Sequence, residues 1–159
     1  MTPLFSVNNI TKYYGSQIGC AGASFDIYPG EVLGIVGESG SGKSTLLNCI
    51  SDQLSFDEGH IFFDMQDRGF CNLATLTEPE RRMLSRTDMA FVHQNPRDGL
   101  RMTVSAGGNI GERLMNTGAR HYGNIRTAAA EWMERVELAA GRIDDRPSTF
   151  SGGMQQRLQ

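Results

Sequence analysis

Lysine is nearly absent from this 159-residue chain: Lys12 and Lys43 stand against thirteen arginines. Acidic residues outnumber basic ones, 18 to 15, for a net charge of −3. That balance excludes a global field for gripping nucleic acid or an anionic membrane, so any polyanion must be held locally. Cysteine is sparse too. Cys20, Cys49 and Cys71 are odd in number and never in CxxC spacing, which excludes a disulfide framework or zinc site and fits reduced thiols in a cytosolic protein. No run approaches the roughly 18 consecutive apolar residues of a membrane span. The N-terminus lacks the basic-then-apolar pattern of a secretory leader. A cytoplasmic protein without direct membrane insertion is expected. The 39% hydrophobic content excludes a disordered chain, and the length suits one domain. Glycine, at 19 residues, is the type in excess, and such an excess places backbone in tight turns or close to a ligand.

Hydrophobic patterning predicts strands over residues 4–14 and 23–28, the second with Phe25 and Ile27 alternating against polar neighbours. Pro29-Gly30 then supplies the chemistry of a type II turn. Val32–Val36 reads as a strand buried on both faces. A glycine-rich loop and a helix from Ser44 to about Leu54 follow, then a turn at Asp57-Glu-Gly59 and a strand over His60–Asp64. Thr77 and Glu80 have the spacing of a capping box, and Arg81, Arg82 and Arg86 form a basic, solvated face on the helix it opens. Met89–Val92 is a short buried-strand candidate leading to His93-Gln94. Residues 103–117 and 124–138 read as helices, the second amphipathic through Ala128, Trp132, Val136 and Ala139. One compact α/β unit with a helical second half is the coarse expectation.

Gly37-Glu-Ser-Gly-Ser-Gly42-Lys43-Ser44 matches GxxxxGK[ST], with an apolar strand expected before it and a helix after it. The glycines let consecutive backbone N–H groups curl into an anion nest, and the helix adds its positive N-terminal dipole. Lys43 is placed to reach the β- and γ-phosphates, and the Ser44 hydroxyl to coordinate Mg²⁺. With 19 Gly, 2 Lys and 22 Ser plus Thr, random order gives on the order of 0.004 matches in such a chain. Nucleoside triphosphate binding with Mg²⁺ follows, with Gly37, Ser39, Gly40, Gly42, Lys43, Ser44 and Thr45 as the binding residues.

Three further segments narrow the family. Phe150-Ser-Gly-Gly-Met-Gln-Gln-Arg157 resembles the LSGGQxQR signature of ATP-binding cassette (ABC) proteins. Gln94 resembles their Q-loop glutamine, and Tyr14, 29 residues before Lys43, resembles the aromatic on which the adenine stacks, with Tyr13 as the alternative. The motifs stand in the family's order across essentially the whole chain. The resemblance implies a P-loop NTPase of ABC nucleotide-binding type: a β-rich ATP-binding core over 1–94 and a helical subdomain over 95–159. It implies that Ser151, Gly152 and Gly153 face the phosphate loop of a partner in a head-to-tail dimer, with Gln94 helping to hold metal and, with Lys43, serving catalysis. Phe150 replaces the usual Leu, an apolar swap expected to matter little, and Met154 replaces Gln, removing a polar group.

In ABC proteins the Walker B strand, with its Mg²⁺-linked Asp and catalytic Glu, follows the signature, and then the switch His. No residue up to Gln159 matches them: Asp144-Asp145 has no apolar strand before it, and His93 and His121 precede the signature. An incomplete nucleotide-binding domain, inactive by itself as an ATPase, is therefore expected, with Val32–Val36 left as an unpaired apolar edge. Phe91–Arg101, Val104–Met115, Thr117–Gly123, Arg142–Asp145 and Thr149–Leu158 are similar to the ABC subunits of bacterial carbon–phosphorus lyase systems. This likeness implies phosphonate degradation and docking on the lyase core complex, with segment 95–123 near the docking surface. The alternative is the ATPase of an oligopeptide-type importer, whose partner is a permease.

Overall fold

A computed structural model describes residues 2–66 and 68–159. The chain divides into two compact units, Met1–Met89 and Ala90–Gln159.

The first unit is built on a four-stranded antiparallel sheet of β1 (Phe5–Tyr14), β2 (Gln17–Ile27), β3 (Glu58–Met65) and β4 (Gly69–Asn72), in the order β2-β1-β3-β4. β1 and β2 form a tight hairpin, so the strand expected over 23–28 is the end of one that begins at Gln17. The Val7↔Ile61 and Phe5↔Phe63 pairs set β1 against β3 and put these apolar side chains into the core. A bulge at Asn8–Asn9, with Asn9 at φ 54°, shifts the β1 register so that Ile10 rather than Asn9 turns inward. Ile10 is fully buried. The helix α1 (Lys43–Ile50) covers this face through Cys49, with Leu46 and Ile50 packed around it, and stops four residues short of the expected Leu54. α2 (Glu78–Thr87) contributes Leu84 to the same core.

Local chemistry explains several boundaries. Glu31 N–H donates to the Tyr28 carbonyl at 3.0 Å across Pro29-Gly30, and Gly30 sits at φ 81°, the value a type II turn requires at that position. The Thr77 N–H donates to Glu80 Oε2 at 2.7 Å, completing the expected capping box of α2. Glu80 is held below its ordinary value chiefly by that backbone N–H, then by the Thr77 hydroxyl and Arg68. The basic face of α2 is more engaged than a solvated stripe: Arg81 pairs with Asp52, and Arg82 with Glu78 at 3.0 Å.

Two expected strands are not formed. Val32–Val36 runs without a strand partner among the described residues, and Val32 and Val36 are 95% and 92% exposed. A short apolar run becomes a strand only when a neighbour accepts its N–H and C=O groups, and none of β1–β4 does so. The run is unpaired and its valines are exposed, as anticipated, but it is not the edge of a sheet. Residues 89–92 are likewise outside any strand, and Val92 is exposed. β4, whose four residues carry little periodic signal, went unforeseen.

The second unit is helical: α3 (Pro96–Gly99), α4 (Ala106–Asn116), α5 (Tyr122–Arg135) and α6 (Gly152–Leu158). α4 begins later than residue 103 because Ser105 caps it, its Oγ accepting from the Gly108 N–H at 3.2 Å. α5 buries Ala129 and Met133, whereas Trp132, expected on the apolar stripe, is 48% exposed with Arg135 over its ring. The core comprises these two residues with Leu100, Ala106, Leu138, Ile143, Phe150 and Leu158. Among the described residues no helix is long and apolar enough to cross a membrane.

Candidate functional site

The phosphate-loop residues gather at the N-terminus of α1, which Gly42 opens in the left-handed conformation at φ 89°. Gly42 has no room for a side chain: a β-carbon there would fall 2.0 Å from the Gly19 carbonyl oxygen of β2. β2 therefore backs the loop and fixes where its N–H groups face. Gly37, Ser39, Gly40 and Ser44 are exposed, and Gly42, Lys43 and Thr45 are half-buried. Lys43 folds back over the loop, its Nζ donating to the Glu38 carbonyl and, at 3.2 Å, to Ser41 Oγ. Ser41 N–H also donates to the Glu38 carbonyl, at 3.2 Å, so a compact turn already surrounds the ammonium group.

Tyr14 belongs to the same unit. A β-carbon on Gly19 would lie 2.7 Å from the Tyr14 ring and 3.0 Å from Thr45 Cγ2, so the ring, half-exposed, edges the start of α1. Asp57 anchors this corner. Its carboxylate accepts from the Tyr13 N–H at 2.7 Å and from Lys12 Nζ at 3.2 Å, and those bonds, the Tyr13 one foremost, hold it below the usual carboxylate range. The Tyr13 hydroxyl turns instead to Glu58, at 3.5 Å. Beneath the loop, burial pushes the Cys49 thiol up to about 11, with Cys20 as its hydrogen-bonding neighbour. Both thiols are free.

Gln94, Ser151, Gly152 and Gly153 lie in the second unit. Gln94 is exposed, and the carbonyl just before it, that of His93, accepts from Gln156 Nε2 at 3.4 Å and Gln159 Nε2 at 3.2 Å. Gln156 of the signature and Gln159 just after it thus bond directly to the segment carrying Gln94. Ser151 Oγ accepts from the Met154 N–H at 3.3 Å and caps α6, while Gly152 and Gly153 are exposed with open space where a β-carbon would stand. Gln155 is buried and donates to the carbonyls of Pro147 and Phe150 at 2.8 and 3.1 Å, tying α6 to the turn before it.

Sequence reasoning missed three of these residues: Gln155, Gln156 and Arg142. Arg142 lies three residues before Asp145, an ion-pair spacing that was the one available signal, and it donates to Asp145 at 2.7 Å. Phe150, expected as an apolar swap of little consequence, has the Arg142 guanidinium 4.2 Å from its ring centroid. Met154 is not merely a lost polar group, since its Sδ accepts from Arg142 Nη1 at 3.8 Å. Asp144 receives a two-pronged bond from Arg126, both at 2.7 Å, which holds its carboxyl below the ordinary range and occupies it structurally.

The 95–123 segment divides by environment. Gly107 and Gly108 are consumed by packing, against Ile143 and Val104, and the Ala106 and Gly107 N–H groups donate to the Asp145 and Ile143 carbonyls at 2.8 Å each. Arg97 and Asp98 stay exposed on α3, which Asn95 caps by accepting from the Arg97 N–H at 3.2 Å. A cleft of about 790 Å³ opens in this unit, lined by Phe91, Leu100, Ile110 and Trp132 among others. No group of three or more metal-ligating side chains occurs among the described residues. The Ser44 hydroxyl, exposed in the first turn of α1, is an oxygen donor of the hard kind that Mg²⁺ accepts.

The model of the ABC transporter family matches residues 20–159. The chain is 59% identical over 157 residues, 99% of its length, to the putative phosphonates utilization ATP-binding protein PhnK of Escherichia coli K12, of which it spans 60%. It is 32% identical over 99% of its length to the dipeptide transport ATP-binding protein DppD of Bacillus subtilis, spanning 49% of that protein. Among solved structures, the dimeric bacterial ABC transporter cassette MJ0796 superimposes with a TM-score of 0.84 at 30% identity, covering 97% of this chain and 66% of that one. The same cassette bound to ADP and Pi gives 0.83 at 29% identity, with the same coverages. The chain belongs to the ABC transporter family and has the fold of its nucleotide-binding domain.

Proposed function

We propose that this chain is the nucleotide-binding part of an ABC ATPase that serves the carbon–phosphorus lyase complex in organic phosphonate breakdown. The observation that carries the reading is the 59% identity to a phosphonates utilization protein across 99% of the chain, against 32% to a dipeptide transport protein. Fold alone could not separate these roles.

ATP with Mg²⁺ is the ligand the loop suits. Gly40 and Gly42 take positive φ in the exposed loop, the backbone geometry from which an anion nest is built, and α1 adds its dipole there. Lys43 exchanges its contacts with Glu38 and Ser41 for the β- and γ-phosphate oxygens, and Ser44 offers its hydroxyl to the metal. Mg²⁺, when bound, neutralises charge developing on the phosphates. Tyr14 provides a half-exposed ring for the adenine, a contact that tolerates any base face. Gln94 positions the metal or the attacking water. Ser151, Gly152 and Gly153 meet the terminal phosphate on the loop of a second copy, in the head-to-tail dimer that gives each nucleotide two protein walls. Residues 1–94 act as the ATP-binding core and 95–159 as the helical subdomain, in the cytoplasm. The 95–123 segment, with Arg97 and Asp98 exposed, docks on the lyase core.

A strain lacking the gene tests this reading. It should fail to grow on a phosphonate as sole phosphorus source, grow normally on phosphate, and recover when the gene is restored. Normal growth on the phosphonate would refute the assignment.

A further inference from the structure

Two departures from the usual ABC signature converge on one side chain. Phe150 and Met154 stand where the family has Leu and Gln, and both touch Arg142: the ring from 4.2 Å below the guanidinium, the sulfur at 3.8 Å from Nη1. The same guanidinium donates through Nε to Asp145 at 2.7 Å, and through Nη2 to the Thr149 hydroxyl and carbonyl at 3.1 and 3.3 Å. Its partners thus bracket Ser151 on both sides, Thr149 and Phe150 before it and Met154 after it. Met154 is also the residue whose N–H the Ser151 hydroxyl accepts. Phe150 is buried, so the plane of its ring is fixed, and a planar cation above it is fixed in turn.

We propose that Arg142 is a positioning residue for the Ser151–Gly153 turn, setting the orientation in which that turn meets the nucleotide held by a second copy. The proposal rests on the reading of this turn as a nucleotide contact. Only arginine fits the geometry fully. Its planar fork carries donors in three directions while its face lies on an aromatic ring, and lysine keeps the charge over the ring without the fork. The Leu-to-Phe and Gln-to-Met differences supply an aromatic face and a soft acceptor for the same cation.

The test uses protein purified from the whole reading frame, with steady-state ATP turnover and calorimetric affinity for a non-hydrolysable ATP analogue as readouts. Gly152→Asp first checks the reading, since a β-carbon at Gly152 meets nothing within 4 Å and the fold should accept it. It should abolish turnover and leave analogue affinity intact. Arg142→Ala should lower kcat roughly tenfold while analogue affinity stays within about twofold, and Arg142→Lys should recover part of the loss. Phe150→Leu should also slow turnover, and its effect should not add to that of Arg142→Ala, because both remove one contact. Wild-type turnover in Arg142→Ala beside an inactive Gly152→Asp would overturn the positioning role and leave the reading standing. Wild-type turnover in Gly152→Asp would overturn the reading and the proposal together. Should Arg142→Ala fail to fold, full turnover in Phe150→Leu would show the contact to be structural only and refute the proposal.

Discussion

Gly42 and Gly19 are in backbone contact so close that no side chain fits between them: a β-carbon on Gly42 would lie 2.0 Å from the Gly19 carbonyl oxygen. Gly42→Ala must therefore push β2 away from the loop and also hold alanine at φ 89°. The expected cost is about 1–3 kcal/mol of stability. Thermal or urea unfolding measures it, and ATP-analogue affinity should fall in the same variant, because the loop N–H groups lose their orientation.

Lys43→Ala removes the only ammonium group of the phosphate loop. Mg²⁺-ATP affinity should drop by more than about tenfold, the equivalent of roughly 1.4 kcal/mol, as read by calorimetry. The fold should survive, since the Lys43 side-chain bonds go to exposed groups of its own loop.

Acid should weaken the first unit through two carboxyls. Glu80 and Asp57 are both held below their ordinary values of 4.5 and 3.8, chiefly by the backbone N–H groups of Thr77 and Tyr13. A depressed folded-state value means that the stabilisation is complete above the ordinary value and is lost as pH falls through the lower, folded one. Urea unfolding from pH 6 downward should therefore show stability flat to about pH 5 and falling below it. In Glu80→Gln the fall should be shallower and the neutral-pH stability lower. An unchanged acid slope in that variant would contradict the capping role.

Much of this was legible in the residues. The Pro29-Gly30 turn and the Thr77–Glu80 box act through local chemistry, which a sequence states directly, and their geometry is as expected, while GxxxxGK[ST] is followed by the expected helix but not preceded by the expected strand. Val32–Val36 was misread as a strand because apolar content cannot say whether a partner strand exists. In the α5 stripe Val136 packs on the core as expected, but Ala129 and Met133 are buried rather than Ala128 and Trp132, because an indole beside a neighbouring arginine can remain at the surface. Arg142 was invisible as a functional candidate. Its partners at 145, 149, 150 and 154 come together only once the turn before α6 has folded.

The 159-residue polypeptide should bind nucleotide without turning it over. Gln94 is proposed only to orient metal or water, and no carboxylate in these residues matches those that bind Mg²⁺ and polarise the attacking water in ABC proteins. Steady-state phosphate release by the purified polypeptide, lost in Lys43→Ala, would contradict this.

The central claim is tested most directly by what accompanies the protein in the cell. It should be purified, from its whole reading frame and in the presence of Mg²⁺-ATP, from cells grown on a phosphonate as sole phosphorus source. The account predicts recovery with the subunits of the carbon–phosphorus lyase core and without a membrane permease. Recovery of a permease with no lyase subunits would contradict it and move the protein to the importers.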